Sequence, residues 1–308
     1  VAFAFGMGTP MRGLATVVFS AVIGVSTAHA ELYYLIVGGI GGESRYEKMF
    51  LEQTQALAQV AEQTLGDDLR ISLIYGEEAT KTVLESKLQH LAESISASDS
   101  LAVFLVGHGS YDGEQYKFNL TGPDISDNEL LELINAVPAG TKLLVNTSSA
   151  SGALVGQWTG EDRTLITATR SGGERNATRF GEYWVASLTS EEADVNKNGI
   201  ITAEEAFRYT EARVAGSFES EGTLATEHAQ IEGDAPGRFI VARLRSLKSD
   251  TPKIQLLRDE SQELEKQIDE LRMKREEMGT DSYLNALQEL LLELALVQRQ
   301  IDEEQSAQ

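Results

Sequence analysis

Stretches of unbroken apolar residues constrain this chain more than any other feature of its sequence. "LYYLIVGGI" (Leu32 to Ile40), "SLAVFLVG" (ending at Gly107) and "KLLVN" (Lys142 to Asn146) show no alternation of polar and apolar side chains. A strand wetted on one face alternates and a strand covered on both faces does not, so these segments predict strands held between two helical layers. The intervening residues fit that reading. A helical pattern runs from Tyr46 to Leu65, a strand pattern "LRISLIY" from Leu69 to Tyr75, and a second helix from about Thr80 to Ile95. A polar, hairpin-like insert around "SYDGEQYKFNL" precedes the helix "DNELLELINAV", for which Ser126 is the capping residue. The strand "TLITATR" follows at Thr164 to Arg170. Alternating β and α segments with buried strands predict an α/β fold, a mostly parallel sheet with helices on both faces.

The chain has 308 residues, 42% of them hydrophobic, enough for one large α/β domain (residues 31–247) and an appendage. Its net charge of -22 argues against nucleic acid or an anionic membrane as partner, because the 26 basic residues are scattered among 48 acidic ones. Divalent cations suit such a surface better. Cysteine is absent, so disulfides contribute nothing to stability. Near the N-terminus, "MRGLATVVFSAVIGVSTAHA" combines an arginine, an apolar run and an "AHA" ending at Ala30. That pattern predicts a signal peptide over about residues 11–30, preceded by upstream residues and cleaved before Glu31. The expected product is secreted or periplasmic with no membrane span, since the apolar run is shorter than the roughly 20 residues a span needs; an uncleaved anchor is the alternative.

Ligands of parallel sheets bind beyond the carboxyl ends of the strands. Two such ends carry reactive residue types: "FLVGHGS" leaves His108 just past one, and "LLVNTSSASG" leaves Ser148 and Ser149 just past another. A histidine beside a hydroxyl is the minimal base and nucleophile pair, and Gly107, Gly109 and Gly152 would let backbone N–H groups approach a substrate carbonyl. The plainer reading is a strand-capping histidine and serines that satisfy the next helix N-terminus.

A strand, "HG", about forty residues, then a strand and "x-x-C-x-S-G" is the layout of the caspase and legumain class of cysteine peptidases, and the chain resembles the bacterial legumain-like branch over about Glu31 to Leu244. The resemblance implies a caspase-like fold, puts His108 at the base position and aligns Ser151-Gly152 with the family's S-G. Ser149 then falls where the family has its cysteine. The segment "TRSGGERNATRFGEYWVASL" looks like the family's pocket-forming stretch, which brings Glu174 to the substrate pocket, and Arg45 stands where the family has a basic specificity residue. Serine for cysteine is a severe change: a thiol near pKa 8.5 needs only an imidazole, whereas a hydroxyl needs a histidine oriented by a third group, worth about 10⁴ in rate. Only Asp112 and Glu174 offer themselves as that third group, and each reads more readily as a loop or solvent charge. A degenerate site results, with an active hydrolase as the alternative.

The stretch "DVNKNGIITAEE" fills every position of the twelve-residue calcium loop. Asp194, Asn196 and Asn198 supply side-chain oxygens, Gly199 the sharp turn, Ile200 its carbonyl, Thr202 a water-mediated contact and Glu205 a bidentate carboxylate. "FGEYWVASLTSEEA" before it and "AEEAFRYTEARVAG" after it predict flanking helices, and similar loops followed by "EAF" belong to the legumain-like resemblance. Two carboxylates imply a weak Ca²⁺ site, roughly 10⁻⁴ to 10⁻³ M. His228, without clustered partners in sequence, reads as structural.

Beyond Pro252, Ile254, Leu257, Leu264, Ile268, Leu271 and Met278 form one heptad-like seam. After the break "MGTDS", Leu284, Leu287, Leu290, Leu291, Leu294, Val297 and Ile301 form a second. Residues 253–306 therefore predict an antiparallel coiled-coil hairpin that packs on its own domain, on a second copy as a homo-oligomer, or on a protein or peptide partner.

Overall fold

A computed structural model describes residues 1, 30–233, 236–244, 251–275 and 278–306. Apart from Ala30, the expected signal peptide lies outside the described residues. From Glu31 the chain forms β1 (Leu32–Gly38), α1 (Ser44–Leu65), β2 (Ile71–Ile74), α2 (Lys81–Ser94) and β3 (Ser100–Val106). An insert of short strands follows, β4 (Gly109–Tyr111), β5 (Tyr116–Phe118) and β6 (Ile125–Ser126), leading to α3 (Asp127–Ala136), β7 (Thr141–Asn146) and β8 (Arg163–Thr167). Then come α4 (Phe180–Ser187), β9 (Ile200–Thr202), α5 (Ala203–Glu221), β10 (Gln230–Glu232) and β11 (Ile240–Arg243). Two long helices close the chain, α6 (Pro252–Met273) and α7 (Thr280–Ser306).

The central sheet has the order β10-β8-β7-β3-β1-β2. Four of its pairings, β8-β7, β7-β3, β3-β1 and β1-β2, are parallel, and only β10 runs antiparallel to β8. The unbroken apolar runs explain themselves here. Tyr34, Ile36, Phe104 and Val106 face one layer, where Phe50 of α1, Trp184 of α4 and Phe207 of α5 cover them. Leu35, Val37, Val103 and Leu105 face the other, against Leu84 and Leu88 of α2 and Leu130 and Ile134 of α3. Each fully buried aliphatic or aromatic side chain is worth about 1.5–3 kcal/mol, so two complete faces dominate the fold's stability.

Local chemistry sets the helix starts. Ser126 and Glu129 exchange side-chain and backbone hydrogen bonds at the head of α3, as Thr202 and Glu205 do at α5. Thr251 caps α6, whose first residue, Pro252, has no N–H to leave unsatisfied.

Several elements differ from the sequence expectation. The insert is a three-stranded antiparallel sheet rather than one hairpin, because Tyr116, Phe118 and Ile125 all turn inward. Alpha-4 stops at Ser187, short of the helix expected through Ala193, and residues 188–193 form turns. Strands β10, β9 and β11 are too short to show a period, and pairing partners rather than sequence pattern stabilise them. Helices α6 and α7 pack through Ile254, Leu257, Leu264, Val297 and Ile301, and Lys253 pairs with Glu304. Met278 lies between the helices instead of in the first seam, and Leu284 and Leu291 of the second are exposed. Among the described residues no helix is long and apolar enough to cross a membrane.

Gly152 shows how closely the loops after the strands approach. A Cβ there would lie 2.1 Å from the Ser171 nitrogen and 2.5 Å from the Thr169 carbonyl oxygen. Backbone cannot yield as a side-chain tip can, so Gly152→Ala is expected to cost about 2–4 kcal/mol in denaturant unfolding; a loss below about 0.5 kcal/mol would mean the two loops are not in contact.

Candidate functional site

Strand register lines up the candidate residues. Gly38 pairs with Val106, Leu105 with Asn146 and Asn146 with Thr167, so β1, β3, β7 and β8 end in one row. The order β2-β1-β3 places a topological switch between β1 and β3, where parallel sheets open a crevice. His108 stands in that opening. Its Nε2 lies 3.2 Å from the carbonyl oxygen of Gly41, beyond β1. A carbonyl only accepts, so the neutral ring carries its proton on Nε2 and keeps the Nδ1 lone pair.

Tyr46 and Phe50 of α1 hold the imidazole edge-to-face, with ring centroids 4.7 and 5.0 Å away. Burial against these rings pushes the His108 pKa below its usual 6.5, while the Gly41 carbonyl and the Glu43 carboxylate pull it back.

Beyond β7 the serines part company. Ser148 is fully buried, its Oγ 2.7 Å from the Tyr116 hydroxyl, which also accepts a hydrogen bond from Asn146 Nδ2 at 2.9 Å. The Asn146 side-chain oxygen accepts the Ser148 N–H at 3.0 Å. Burial pushes the Tyr116 hydroxyl up to about 12, so it stays protonated and works as a structural donor and acceptor. Ser149 instead donates its hydroxyl to the carbonyl of Gly109, 3.1 Å away, the residue after His108. Positions 108 and 149 therefore share one rim, but no hydrogen bond joins their side chains among the described residues.

Gly109 is required by that closeness, because a Cβ would sit 2.5 Å from Ser148 Oγ and 2.6 Å from the Ser149 carbonyl. The Asn119 N–H donates to the His108 carbonyl and the Asp112 N–H to that of Gln115. Gly109 and Phe118 thus form a non-hydrogen-bonded pair, and the peptide groups of Gly109 turn away from β5.

Gly152 is a correction. Its N–H donates to Thr169 Oγ1 at 2.8 Å and is spent within the loop, so it is no donor to a substrate oxygen. The N–H of Ser149 holds no hydrogen bond among the described residues, while those of Ser148 and Ala150 are taken by Asn146 Oδ1 and the Glu174 carbonyl. Ala150 itself sits in the left-handed region at φ 59°, a conformation an L-residue adopts at a cost.

Glu174 is a second correction. Its carboxylate accepts from the Arg170 and His228 N–H groups at 3.0 and 3.1 Å, and lies 2.6 Å from His228 Nδ1. It ties the loop after β8 to the irregular segment leading into β10 and gives His228 a structural role; it does not orient His108. Asp112 accepts from the N–H groups of Glu114 and Gln115, closing the turn of the insert. Arg45 is exposed at the rim, pairs with Glu43 at 3.2 Å and donates to the Tyr46 hydroxyl at 2.7 Å. Its guanidinium lies over the Tyr46 ring, one side chain from the imidazole.

The calcium-type loop joins α4 to α5 on the same side of the sheet. Asp194 accepts from the N–H groups of Asn198 and Gly199 at 3.1 and 2.8 Å, and Asn196 from Asn198 at 3.1 Å. Asn198 Oδ1 accepts from Ile200 at 2.8 Å, and Glu205 from the N–H groups of Val195 and Thr202 at 3.2 and 3.0 Å. Left-handed turns at Lys197 (φ 61°) and Gly199 (φ 78°) curl the loop around these oxygens, and β9 leads its exit into a ladder with β11. No group of three His, Cys, Asp or Glu side chains suited to a metal occurs among the described residues. The loop's donors are of another kind: two carboxylates with amide, hydroxyl and carbonyl oxygens, a hard all-oxygen set that fits Ca²⁺.

No family model matches this chain. No curated protein matches it either. Among solved structures it is similar to protein GSU0716 from Geobacter sulfurreducens, at 13% identity and a TM-score of 0.43, over 71% of this chain and 99% of that one.

Tyr46, Phe50, Tyr116 and Asn146 had no signal in sequence beyond apolar or strand-end placement; only the fold brings them to the rim. In a proton NMR titration the His108 ring is expected to titrate below pH 6.5. Because the folded chain then binds fewer protons than the unfolded one, this group's contribution to stability is present above pH 6.5 and lost as pH falls through the folded pKa. A value at or above 6.5 would contradict the buried, aromatic-held ring.

Proposed function

We propose that the chain is an exported, calcium-binding and catalytically degenerate member of the caspase/legumain-like class that acts as a binding or scaffold module. The observation that carries this reading is the direction of two hydrogen bonds. Ser149 gives its hydroxyl proton to the Gly109 carbonyl, and His108 gives its Nε2 proton to the Gly41 carbonyl. Neither side chain is engaged with the other. A hydroxyl needs a base that takes its proton, and that base needs an orienting acceptor; of the two candidates by sequence, Glu174 is committed to Arg170 and His228, and Asp112 to the N–H groups of Glu114 and Gln115.

The residues of the loop 194–205 would hold Ca²⁺ through Asp194, Asn196, Asn198, the Ile200 carbonyl, Thr202 and Glu205, and the ion would tie α4, β9 and α5 into one unit. Helices α6 and α7 would form an antiparallel coiled-coil arm. Exposed Leu284, Leu291 and Leu292 on α7 favour a further reading in which that arm binds a protein or peptide partner or a second copy.

A hydrolase using His108 and Ser149 is the second reading, supported by the uncommitted Ser149 N–H, which would suit an oxyanion, and by the basic Nδ1 of His108. Fluorophosphonate labelling of the mature chain separates the two. The degenerate module leaves Ser149 unlabelled and gains thermal stability when millimolar Ca²⁺ is added. Labelling at Ser149 that disappears in His108→Ala would overturn degeneracy, and an unchanged melting temperature would remove calcium.

A further inference from the structure

The calcium-type loop is held by the C-terminal helices as well as by its own backbone. Asn198, the loop's central ligand position, is gripped twice by α6: its Nδ2 donates to Glu265 Oε1 at 2.7 Å, and its main-chain carbonyl accepts from Arg258 Nη1 at 3.3 Å. These contacts span 67 and 60 residues of sequence, so they join the appendage to the α/β body rather than stabilise a local turn. Arg258 is buried, as are Ile254 and Ser261 on neighbouring turns of the helix. Nothing in the calcium-loop motif calls for such partners.

The amide geometry gives the contact its consequence. A side-chain amide has one end that donates and one that accepts. Glu265 takes the donor end, which turns Oδ1 into the loop. There it receives the Ile200 N–H at 2.8 Å, and an amide oxygen keeps a second lone pair for a further donor or a cation. Were the amide reversed, its NH₂ would face the loop and repel a cation.

We infer that Glu265 is a positioning residue for cation binding at the loop 194–205, so that Ca²⁺ and the docking of α6 on the α/β body reinforce each other. This rests on the calcium reading given above. Groups that orient a metal ligand from behind are commonly worth 10–100-fold in affinity. Coupling is reciprocal, so whatever the docked helix adds to Ca²⁺ affinity, Ca²⁺ returns as helix docking.

The test uses the full mature chain and Ca²⁺ alone. Isothermal titration should give one site that Asp194→Ala abolishes. Glu265→Ala should weaken it by about 10-fold or more, and Glu265→Gln, whose carbonyl oxygen still accepts from Asn198, should recover most of the loss. Hydrogen exchange of the wild type should slow in the α6 segment when Ca²⁺ is added, a readout that does not depend on any variant folding. If the wild type binds no Ca²⁺, both the calcium reading and this inference fall. If it binds through Asp194 while Glu265→Ala keeps the affinity within about twofold, or while α6 exchange ignores Ca²⁺, the calcium reading stands and the coupling is overturned.

Discussion

Parallel pairing of β1, β3 and β7 is the constraint on which the rest of this structure depends. Parallel strands must all be crossed in the same sense, so their carboxyl ends emerge on one side, and the register here ends β1 at Gly38 opposite Val106 and sets Leu105 opposite Asn146. The loops that follow therefore meet. His108 reaches Gly41, Ser149 reaches Gly109, and the approach is close enough that Gly109 admits no side chain. One shift of register would exchange the side chains packed into the two helical layers and separate the rim residues at the same time.

At this rim the Ser149 hydroxyl and the His108 Nε2 proton each have a carbonyl partner instead of each other. On the proposed degenerate reading, these same bonds hold the rim together and keep the serine from reacting. A ground-state serine that donates to a carbonyl has its proton held, and an imidazole wedged between Tyr46 and Phe50 resists the charge it would have to accept. Sulfur would change the balance more than any rearrangement, since a thiol parts with its proton several units below a hydroxyl and bonds only weakly to a carbonyl.

The elements that proved legible from sequence were those whose signal is local and repeated. Unbroken apolar runs gave β1, β3 and β7, and Ser126 with Glu129 marked the start of α3. His108 and Ser149 were legible as neighbours because strand ends fall within a residue or two of a composition change. The remaining features were set by contacts distant in the chain. Strand β10 is three residues long and exists because β8 offers an edge. The roles of Gly152 and Glu174 changed because Thr169 and His228 arrive from elsewhere to take their hydrogen bonds. The separate fates of Ser148 and Ser149 were beyond sequence altogether, since Tyr116 comes from the insert to claim the first.

The central claim is that the His108 imidazole and the side chain at position 149 share a single rim, the arrangement on which the proposed degenerate site rests. Because the chain has no cysteine, Ser149→Cys would introduce a lone thiol whose ionisation can be followed by ultraviolet thiolate absorbance. The account predicts a thiol pKa below the ordinary value of about 8.5 that rises when His108 is replaced by alanine. Identical titration curves with and without His108 would contradict it.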